Sequence, residues 1–230
     1  WDRIWLMPGS INNEINYAVI KNGNIGIHAD TVSNNNPTIS INNTIIKNMS
    51  AIGILGQGAH IEATNTVISK CGQYLVACNI GGMYNFTHCT FANYWNYSNR
   101  NTPSIMLNNY YEGNDGNIYI RDLNTANFIN CIIDGNLSTE VSFQKQEQGQ
   151  FNYQFDHCLI KLDPTTNTDN EHYENVIINQ SPEFTDNTKD DFHLVGTSPA
   201  VDAGNPMINF EDIEGNTRNN PDIGAFEFIE

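Results

Sequence analysis

A short motif that recurs at intervals of 21 to 27 residues constrains the fold of this chain more than any other feature. The motif has apolar residues at its first and third positions, Asn or His at the fifth, and a small or medium residue at the sixth. Its six copies begin at Ile39, Ile61, Tyr84, Ile105, Ala126 and Tyr153. Looser copies around Ile15 and Asn175 extend the series. A strand-length segment repeated at a near-constant period is typical of a solenoid.

The motif predicts strands rather than helices. Its apolar residues alternate with period two, and β-branched and aromatic side chains are frequent in it. No segment has the amphipathic pattern of roughly 10–15 residues that a connecting helix needs, which argues against leucine-rich repeats and doubly wound folds. A β-sandwich would also give short alternating strands, but it would not repeat one motif at one period.

Most coils contain a second strand between two copies of the motif. The members of this second set are Ile25–His28, Ile52–Leu55, Ile118–Arg121 and Val141–Gln144. Each coil is then predicted to have three short strands and three bends. This cross-section resembles that of the pectate-lyase-like right-handed parallel β-helix, over residues 15–180. The resemblance, together with the right-handed rule for parallel crossovers, gives the handedness. We therefore predict an all-β, right-handed parallel β-helix with a C-terminal capping segment.

The fifth position of the motif is predicted to form a stack of polar side chains at one bend. Its members are Asn43, Asn65, His88, Asn109, Asn130 and His157. Stacked amides can bond one another and also the main-chain groups of the bend, as buried polar atoms require. We therefore interpret the two histidines as members of this structural stack rather than as catalysts.

The five cysteines are predicted to be buried thiols. Their odd number argues against a disulfide framework, and the lack of a CxxC pair argues against a zinc site. Cys89, Cys131 and Cys158 share the sixth position of the motif with Thr44 and Thr66. We expect them to stack inside the solenoid.

The period breaks near residue 185, so we assign residues 1–185 to the coils and 186–230 to a cap packed on the last coil of the same domain. The C-terminal segment contains Ser198-Pro-Ala-Val-Asp-Ala-Gly204, Asp212-Ile-Glu-Gly-Asn-Thr-Arg218 and Pro221-Asp-Ile-Gly-Ala-Phe-Glu227. This pattern resembles the closing motif of secreted bacterial β-helix proteins, many of them surface lipoproteins. The resemblance implies an extracellular or outer cell-surface location.

The same segment groups one arginine with several acids. Arg218 is expected to pair with carboxylates that pin the loops of the cap. The acids concerned are Asp202, Asp212, Asp222 and Glu227. A catalytic cluster or a calcium site is the alternative interpretation, so calcium is kept as a candidate cofactor.

The net charge of −16, with 26 acidic and 10 basic residues, narrows the choice of partners. Nucleic acid is bound through clustered Lys and Arg, so we expect no nucleic-acid partner. No apolar run approaches the roughly 18 residues of a membrane-spanning helix. The chain opens at Trp1 without a leader pattern, so we expect any export signal to lie outside it. We expect a monomer whose partner is polysaccharide.

The resemblance also implies where a glycan would lie. In the pectate-lyase-like class, polysaccharide occupies a groove on one parallel sheet, which here would be the second strand set. The carbohydrate-contacting candidates are His28, Tyr94, Trp95, Tyr97, Arg100, Tyr119, Gln144 and Lys145. Aromatic rings can stack on sugars, and Arg can pair with uronate carboxylates. The alternative for Trp95 and Tyr97 is that they fill the interior of a wide coil.

Three functional hypotheses remain open at this point. The first is a secreted or surface β-helix protein that contacts polysaccharide as a binding or processing module. The second is a uronate lyase, in which Arg121 beside Asp122 takes the proton next to a carboxylate and Arg100 assists. The third is a structural or adhesion domain without a carbohydrate site.

Overall fold

The computed structural model describes residues 1–31 and 36–229, which form a right-handed parallel β-helix with three strands in each coil. Three parallel sheets run along the solenoid, and successive strands of the chain belong to the three sheets in turn. The described residues contain no α-helix, only one short 3-10 turn at Asn187–Lys189. The fold predicted from the repeat is therefore confirmed.

The strands of the three sheets are as follows. Sheet 1 contains Ile4–Leu6, Ile25–Ala29, Ile52–Gln57, Val76–Asn79, Ile105–Asn108 and Val141–Gln144. Sheet 2 contains Asn13–Asn16, Ile39–Asn42, His60–Thr64, Gly82–Thr87, Leu123–Ile129, Gln154–Asp156 and Tyr173–Glu174. Sheet 3 contains Val19–Lys21, Ile45–Met49, Val67–Cys71, Thr90–Asn93, Ile132–Gly135, Leu159–Ile160 and Ile177–Ile178. Two antiparallel pairs stand apart: Tyr110–Glu112 with Ile118–Ile120, and Phe184–Asp186 with Asp191–Leu194.

Inward-pointing side chains stack on their equivalents in the next coil. Phe86, Phe128 and Phe155 form such a stack in sheet 2, with neighbouring ring centroids 5.0 Å apart. All three rings are fully buried. Burial of a side chain of this size stabilises the fold by about 1.5–3 kcal/mol. The period-two alternation of the motif is the sequence pattern that places these rings inside.

The bend between sheets 2 and 3 is formed in seven successive coils by one residue with a left-handed backbone. These residues, which we call the bend column, are Tyr17, Asn43, Asn65, His88, Asn130, His157 and Asn175, with φ between 46° and 53°. Asparagine tolerates this conformation better than most residues. Asn65 donates to Asn43 Oδ1 at 3.1 Å, and the Asn130 amide lies 2.9 Å from His88 Nε2. The structure thus places five of the six predicted residues at this bend.

Asn109 is the exception, and its assignment to the stack is wrong. The strand before it, Ile105–Asn108, pairs within sheet 1 rather than sheet 2. The Asn109 amide donates instead to the main-chain oxygens of Gln146 and Gln150. The step from His88 to Asn130 is therefore one coil enlarged by an inserted hairpin, not two coils of equal length. Because strands of both sheets bury alternate apolar residues, the motif alone could not separate them.

The middle strands of sheet 3 are buried on both faces. Their inward side chains join the main core, whereas Val67, Ile132 and Leu159 point outward and are still almost completely covered. Val67 belongs to one apolar cluster with Phe226, and Ile132 and Leu159 belong to another with Ile223. Consecutive apolar residues in the sheet 3 strands are typical of a strand that is covered on both sides.

The C-terminal segment, residues 184–229, provides the cover. It lies along the outer face of sheet 3, where Asp190 pairs with Lys47 and Lys70 at 3.1 and 2.6 Å. Ala225 donates to Thr90 Oγ1, and Gly224 donates to the main-chain oxygen of Asn130. We expected residues 186–230 to pack on the last coil. The structure corrects this position, because the segment spans the side of several coils.

Arg218 is the central group of this segment. Its guanidinium is fully buried and donates to Glu227 at 3.0 Å and to the main-chain oxygen of Gly224 at 3.0 Å. Asp222 accepts from the main chain of Asp202 at 2.7 Å. Asp212 in turn accepts from the main-chain nitrogen of Glu227 at 2.9 Å. Burial raises the pKa of Asp222 and Glu227 and lowers the pKa of Arg218. Of the four predicted acids, Glu227 alone forms an ion pair with Arg218, while Asp212 and Asp222 accept from main-chain nitrogens of the segment. Asp202 is exposed and takes part only through its main-chain nitrogen.

The cysteines lie inside the solenoid, as predicted. All five are free and buried. The main-chain nitrogen of Cys131 lies 3.4 Å from Cys158 Sγ, so these two belong to one interior stack. Burial raises the pKa of the Cys131 thiol well above its ordinary value. Protonated, enclosed thiols of this kind are poor nucleophiles.

Candidate functional site

The bend between sheets 3 and 1 holds an open cleft of about 530 Å³. We call it the aromatic cleft; it is lined by Trp1, Asn22, Gly23, Asn24, Asn48, Ser50, Trp95 and Tyr97. Its amide wall lies at the ends of two strands of sheet 3, where Asn22 and Asn48 adopt left-handed φ of 63° and 56°. Repetition of the coil therefore places these polar side chains next to one another.

Two glycines let the indole rings lie close to the bends. A Cβ added at Gly23 would come within 2.7 Å of the Trp1 ring, so only glycine permits this contact. The Trp1 indole also donates to the main-chain oxygen of Lys21 at 3.0 Å. The Trp95 ring lies against Gly72, 3.4 Å from the position of an added Cβ. Both rings are thus held in place while the Trp1 side chain stays 59% exposed.

Trp95 and Tyr97 belong to a loop that is fixed from several sides. The Trp95 indole donates to Ser98 Oγ at 2.9 Å, and its main-chain oxygen accepts from Asn136 at 2.9 Å. The Tyr97 ring stands edge-on to the Trp95 ring at 4.9 Å and is 69% exposed. These two residues line the cleft rather than fill the interior, so the alternative of an interior role is wrong for them.

Arg100 fastens this loop and is not available to a ligand. Its guanidinium makes a two-pronged contact with the Glu140 carboxylate at 2.6 and 2.8 Å, and both groups are buried. It also donates to the main-chain oxygen of Asn93, while Glu140 accepts from the main chain and hydroxyl of Ser104. The predicted sugar contact of Arg100 is therefore wrong, because the pair ties the two ends of the loop to the solenoid.

Tyr94 also faces the protein rather than a ligand. Its hydroxyl donates to the Asp134 carboxylate, and its ring packs edge-on against Phe184. Burial is the main cause that raises the pKa of this hydroxyl, and the Asp134 charge adds to the effect. The structure places Tyr94 beneath the C-terminal segment and corrects its assignment as a sugar contact.

One polar atom of the aromatic cleft has an unused bonding capacity. Asn48 Oδ1 is buried and has no hydrogen-bond donor within residues 1–31 and 36–229. Buried polar atoms are nearly always paired, so this oxygen is an unsatisfied acceptor that solvent does not reach. The exposed side chains of Asn22 and Asn24 are the amides that the cleft presents to a ligand.

The predicted catalytic pair lies in a different and smaller cleft. This cleft of about 330 Å³ is lined by Thr31, Gly58, Ile80, Gly82, Arg121, Asp122 and Asn124. Arg121 is exposed and makes no ion pair with any residue the structure describes. Asp122 accepts from the main-chain nitrogen of Gln150 at 2.8 Å. The two residues therefore line the same cleft, but this cleft shares no residue with the aromatic cleft.

Tyr119 does not belong to the groove predicted for it. Its strand, Ile118–Ile120, pairs antiparallel with Tyr110–Glu112 in a hairpin outside sheet 1, which corrects the second strand set. The Tyr119 ring stacks on Tyr111 at 5.1 Å, and its hydroxyl donates to Asp115 at 2.7 Å. An inserted hairpin and a regular strand have the same local pattern, so only long-range pairing separates them.

The three remaining candidates lie on sheet 1 but do not form a common surface with the cleft. His28 is 6% exposed, stacks on Trp5 at 5.4 Å and lies 2.7 Å from Gln57 Oε1. Gln144 accepts from the Asn108 amide. Lys145 is exposed and pairs with Glu147. The resemblance implies a groove on this sheet, but the His28 side chain is engaged by Trp5 and Gln57 rather than open to a ligand.

Sequence reasoning missed most of the cleft wall. The two segments Lys21-Asn22-Gly23-Asn24 and Lys47-Asn48-Met49-Ser50 begin at paired positions of equivalent strands and share their first two residues. This short repeat was the available sign of a second asparagine bend. Trp1 had no such sign, because its position against Gly23 depends on the fold of the first coil.

Within the described ranges, no three His, Cys, Asp or Glu side chains are grouped so that they could bind a metal ion. No helix in the same ranges has the length and hydropathy that crossing a membrane requires. A scan of protein-family models and a search of curated proteins give no match to this chain. The geometry of the aromatic cleft is therefore the basis for assigning a function.

Proposed function

We propose that this protein is a glycan-binding module and that the aromatic cleft is its binding surface. The observation that supports this most is the convergence of Trp1, Trp95 and Tyr97 with the amides of Asn22 and Asn48 in one open cleft. Aromatic faces pack on the apolar faces of sugar rings, and amides bond sugar hydroxyls. Ligand sites generally combine apolar surface with a few placed polar groups in this way.

The rigidity of the cleft supports the same proposal. The loop that contains Trp95 is fastened by the buried pair of Arg100 and Glu140. The Trp1 ring is held against Gly23. Because the rings are already ordered, binding would cost little conformational entropy. An extracellular location, which the C-terminal motif implies by resemblance, is part of this proposal.

Calorimetric titration with glycan oligomers tests the function. Trp95→Ala should weaken binding about tenfold, since a stacked aromatic contact contributes on the order of 1 kcal/mol beyond its buried area. Tyr119→Ala is the matched control, because it removes an exposed aromatic ring from the hairpin outside the cleft. Equal losses in both variants, or no binding by the unaltered protein, would overturn the proposal. The second of these outcomes favours a structural or adhesion domain.

A uronate lyase is the second candidate. It is favoured by one observation, the exposed Arg121 guanidinium beside Asp122 in the smaller cleft, which has no ion pair within the described ranges. An assay for the absorbance of unsaturated uronate product tests it. Product formed by the unaltered protein and lost in Arg121→Ala would support the lyase. Binding without product supports the glycan-binding module.

A further inference from the structure

The lining of the aromatic cleft has no charged side chain. Its eight residues are aromatic rings, amides, one hydroxyl and one glycine, although the protein as a whole has a net charge of −16. A negatively charged ligand would meet a repulsive field over most of the surface. A cleft built to bind such a ligand would need local cations to offset that field.

Most basic residues of the chain form ion pairs with acidic residues of the same chain. Eight of the ten form ion pairs: Arg3, Lys47, Lys70, Arg100, Lys145, Lys161, Lys189 and Arg218. Among the residues the structure describes, only Lys21 and Arg121 have no ion pair. Arg121 lies in the smaller cleft. Lys21 precedes Asn22 in the chain but is not part of the cleft lining.

The spacing of the two indoles gives the direction and length of a bound chain. Trp1 lies against Gly23 in the first coil, and Trp95 lies against Gly72 in the third. The bends are successive, since Ser50 donates to Gly23 and Gly72 donates to Met49. Neighbouring strands are about 4.8 Å apart, so the two glycines against which the indoles lie are separated by about 10 Å along the solenoid axis. That distance is close to the length of two sugar units in an extended glycan.

Resting on the proposed function, we infer that the ligand is an uncharged, extended glycan that lies parallel to the solenoid axis. One sugar ring packs on Trp1 and another on Trp95. The hydroxyl groups between them are contacted by the Ser50 hydroxyl and by the amides of Asn22, Asn24 and Asn48. In this cleft, the negative field of the protein weakens the binding of uronate polymers.

Calorimetric titration with two matched series of oligosaccharides tests this inference. The first series contains neutral oligomers of one to six units, of β-1,4-glucan, β-1,3-glucan, mannan, galactan and xylan. The second contains the hexoses among them oxidised at C6 to uronates. At low salt, at least one neutral hexamer should bind, and its oxidised counterpart should bind at least tenfold more weakly. Affinity for the bound neutral series should rise at least tenfold between one and three units.

Variants test the uncharged class of the ligand and its axial arrangement separately. Trp1→Ala and Trp95→Ala should each remove the gain with chain length, whereas Tyr119→Ala should keep it. Lys21→Ala should leave neutral binding unchanged. An oxidised series that binds as tightly as the neutral one, with a dependence on salt and on Lys21, would overturn the uncharged class and leave the cleft as a glycan site. Affinity that does not change with chain length would overturn the axial arrangement. No binding in either series would overturn the proposed function itself.

Discussion

Asparagines with left-handed backbone form two different bends of this solenoid. At the bend between sheets 2 and 3, the side chains of the bend column bond one another and the C-terminal segment, as Asn65 does with Asn43 and with the main chain of Glu211. At the bend between sheets 3 and 1, Asn22 and Asn24 are exposed and line the aromatic cleft.

The two bends differ in whether another segment of the chain packs over them. The C-terminal segment lies against the bend column, where the ring of His88 is 3.1 Å from the main-chain oxygen of Ile208. No described segment covers the other bend in this way, and indole rings flank it instead. The same residue type therefore serves stability in one place and is free for recognition in the other. Exposure, not identity, decides which role an asparagine of a repeat has.

The largest expected effect concerns the covered bend. Arg218→Met should destabilise the protein by about 3–5 kcal/mol, because it leaves the buried Glu227 carboxylate without its partner. Urea unfolding measures the change. Arg121→Met is the control, since that exposed side chain has no ion pair among the described residues, and its midpoint should not move. Equal effects of the two changes would show that the segment does not depend on Arg218.

The second prediction concerns pH at the bend column. Burial, with the neighbouring Arg218 charge, lowers the pKa of His88 to about 4 from an ordinary value near 6.5. Between these values the unfolded chain binds a proton that the folded protein does not. Stability should therefore fall as pH falls from 6.5 to 4, by about 3 kcal/mol from this group.

His88→Asn isolates this contribution, because asparagine occupies the equivalent position in four other coils of the bend column. Urea midpoints measured for both proteins at several pH values give the comparison. The variant should lose less stability on acidification than the unaltered protein. Parallel curves would contradict the assignment of a buried neutral imidazole.

Only part of the structure behind these predicted effects could be inferred from the sequence. The repeat, the inward Phe86 stack and the bend column follow from local periodicity, which a sequence shows directly. The location of Arg100 opposite Glu140 does not, because forty residues separate them and nothing local records the pairing. Trp95 and Tyr97 were predicted as sugar contacts, but their partner Trp1 was not. A cleft between coils depends on which loops fold back, and that is a long-range property.

Matched substitutions at the two bends should give a smaller difference in stability. Asn65→Gly and Asn22→Gly each remove one amide from a left-handed position that glycine tolerates. The first should cost about 1–2 kcal/mol, since Asn65 is buried and its two hydrogen bonds are lost. The second should leave stability unchanged and weaken glycan binding a few-fold. Thermal unfolding and calorimetric titration of both variants provide the measurement. The contrast between the bends fails if the two variants are equally stable.

Titration followed by nuclear magnetic resonance tests the central claim most directly, because side-chain amide and indole signals report on each bend separately. With the neutral glycan hexamer that binds most tightly, the amide signals of Asn22, Asn24 and Asn48 and the indole signals of Trp1 and Trp95 should shift. The amide signals of Asn43, Asn65 and Asn130 should stay in place. Shifts confined to the bend column, or to the Arg121 cleft, would contradict the account.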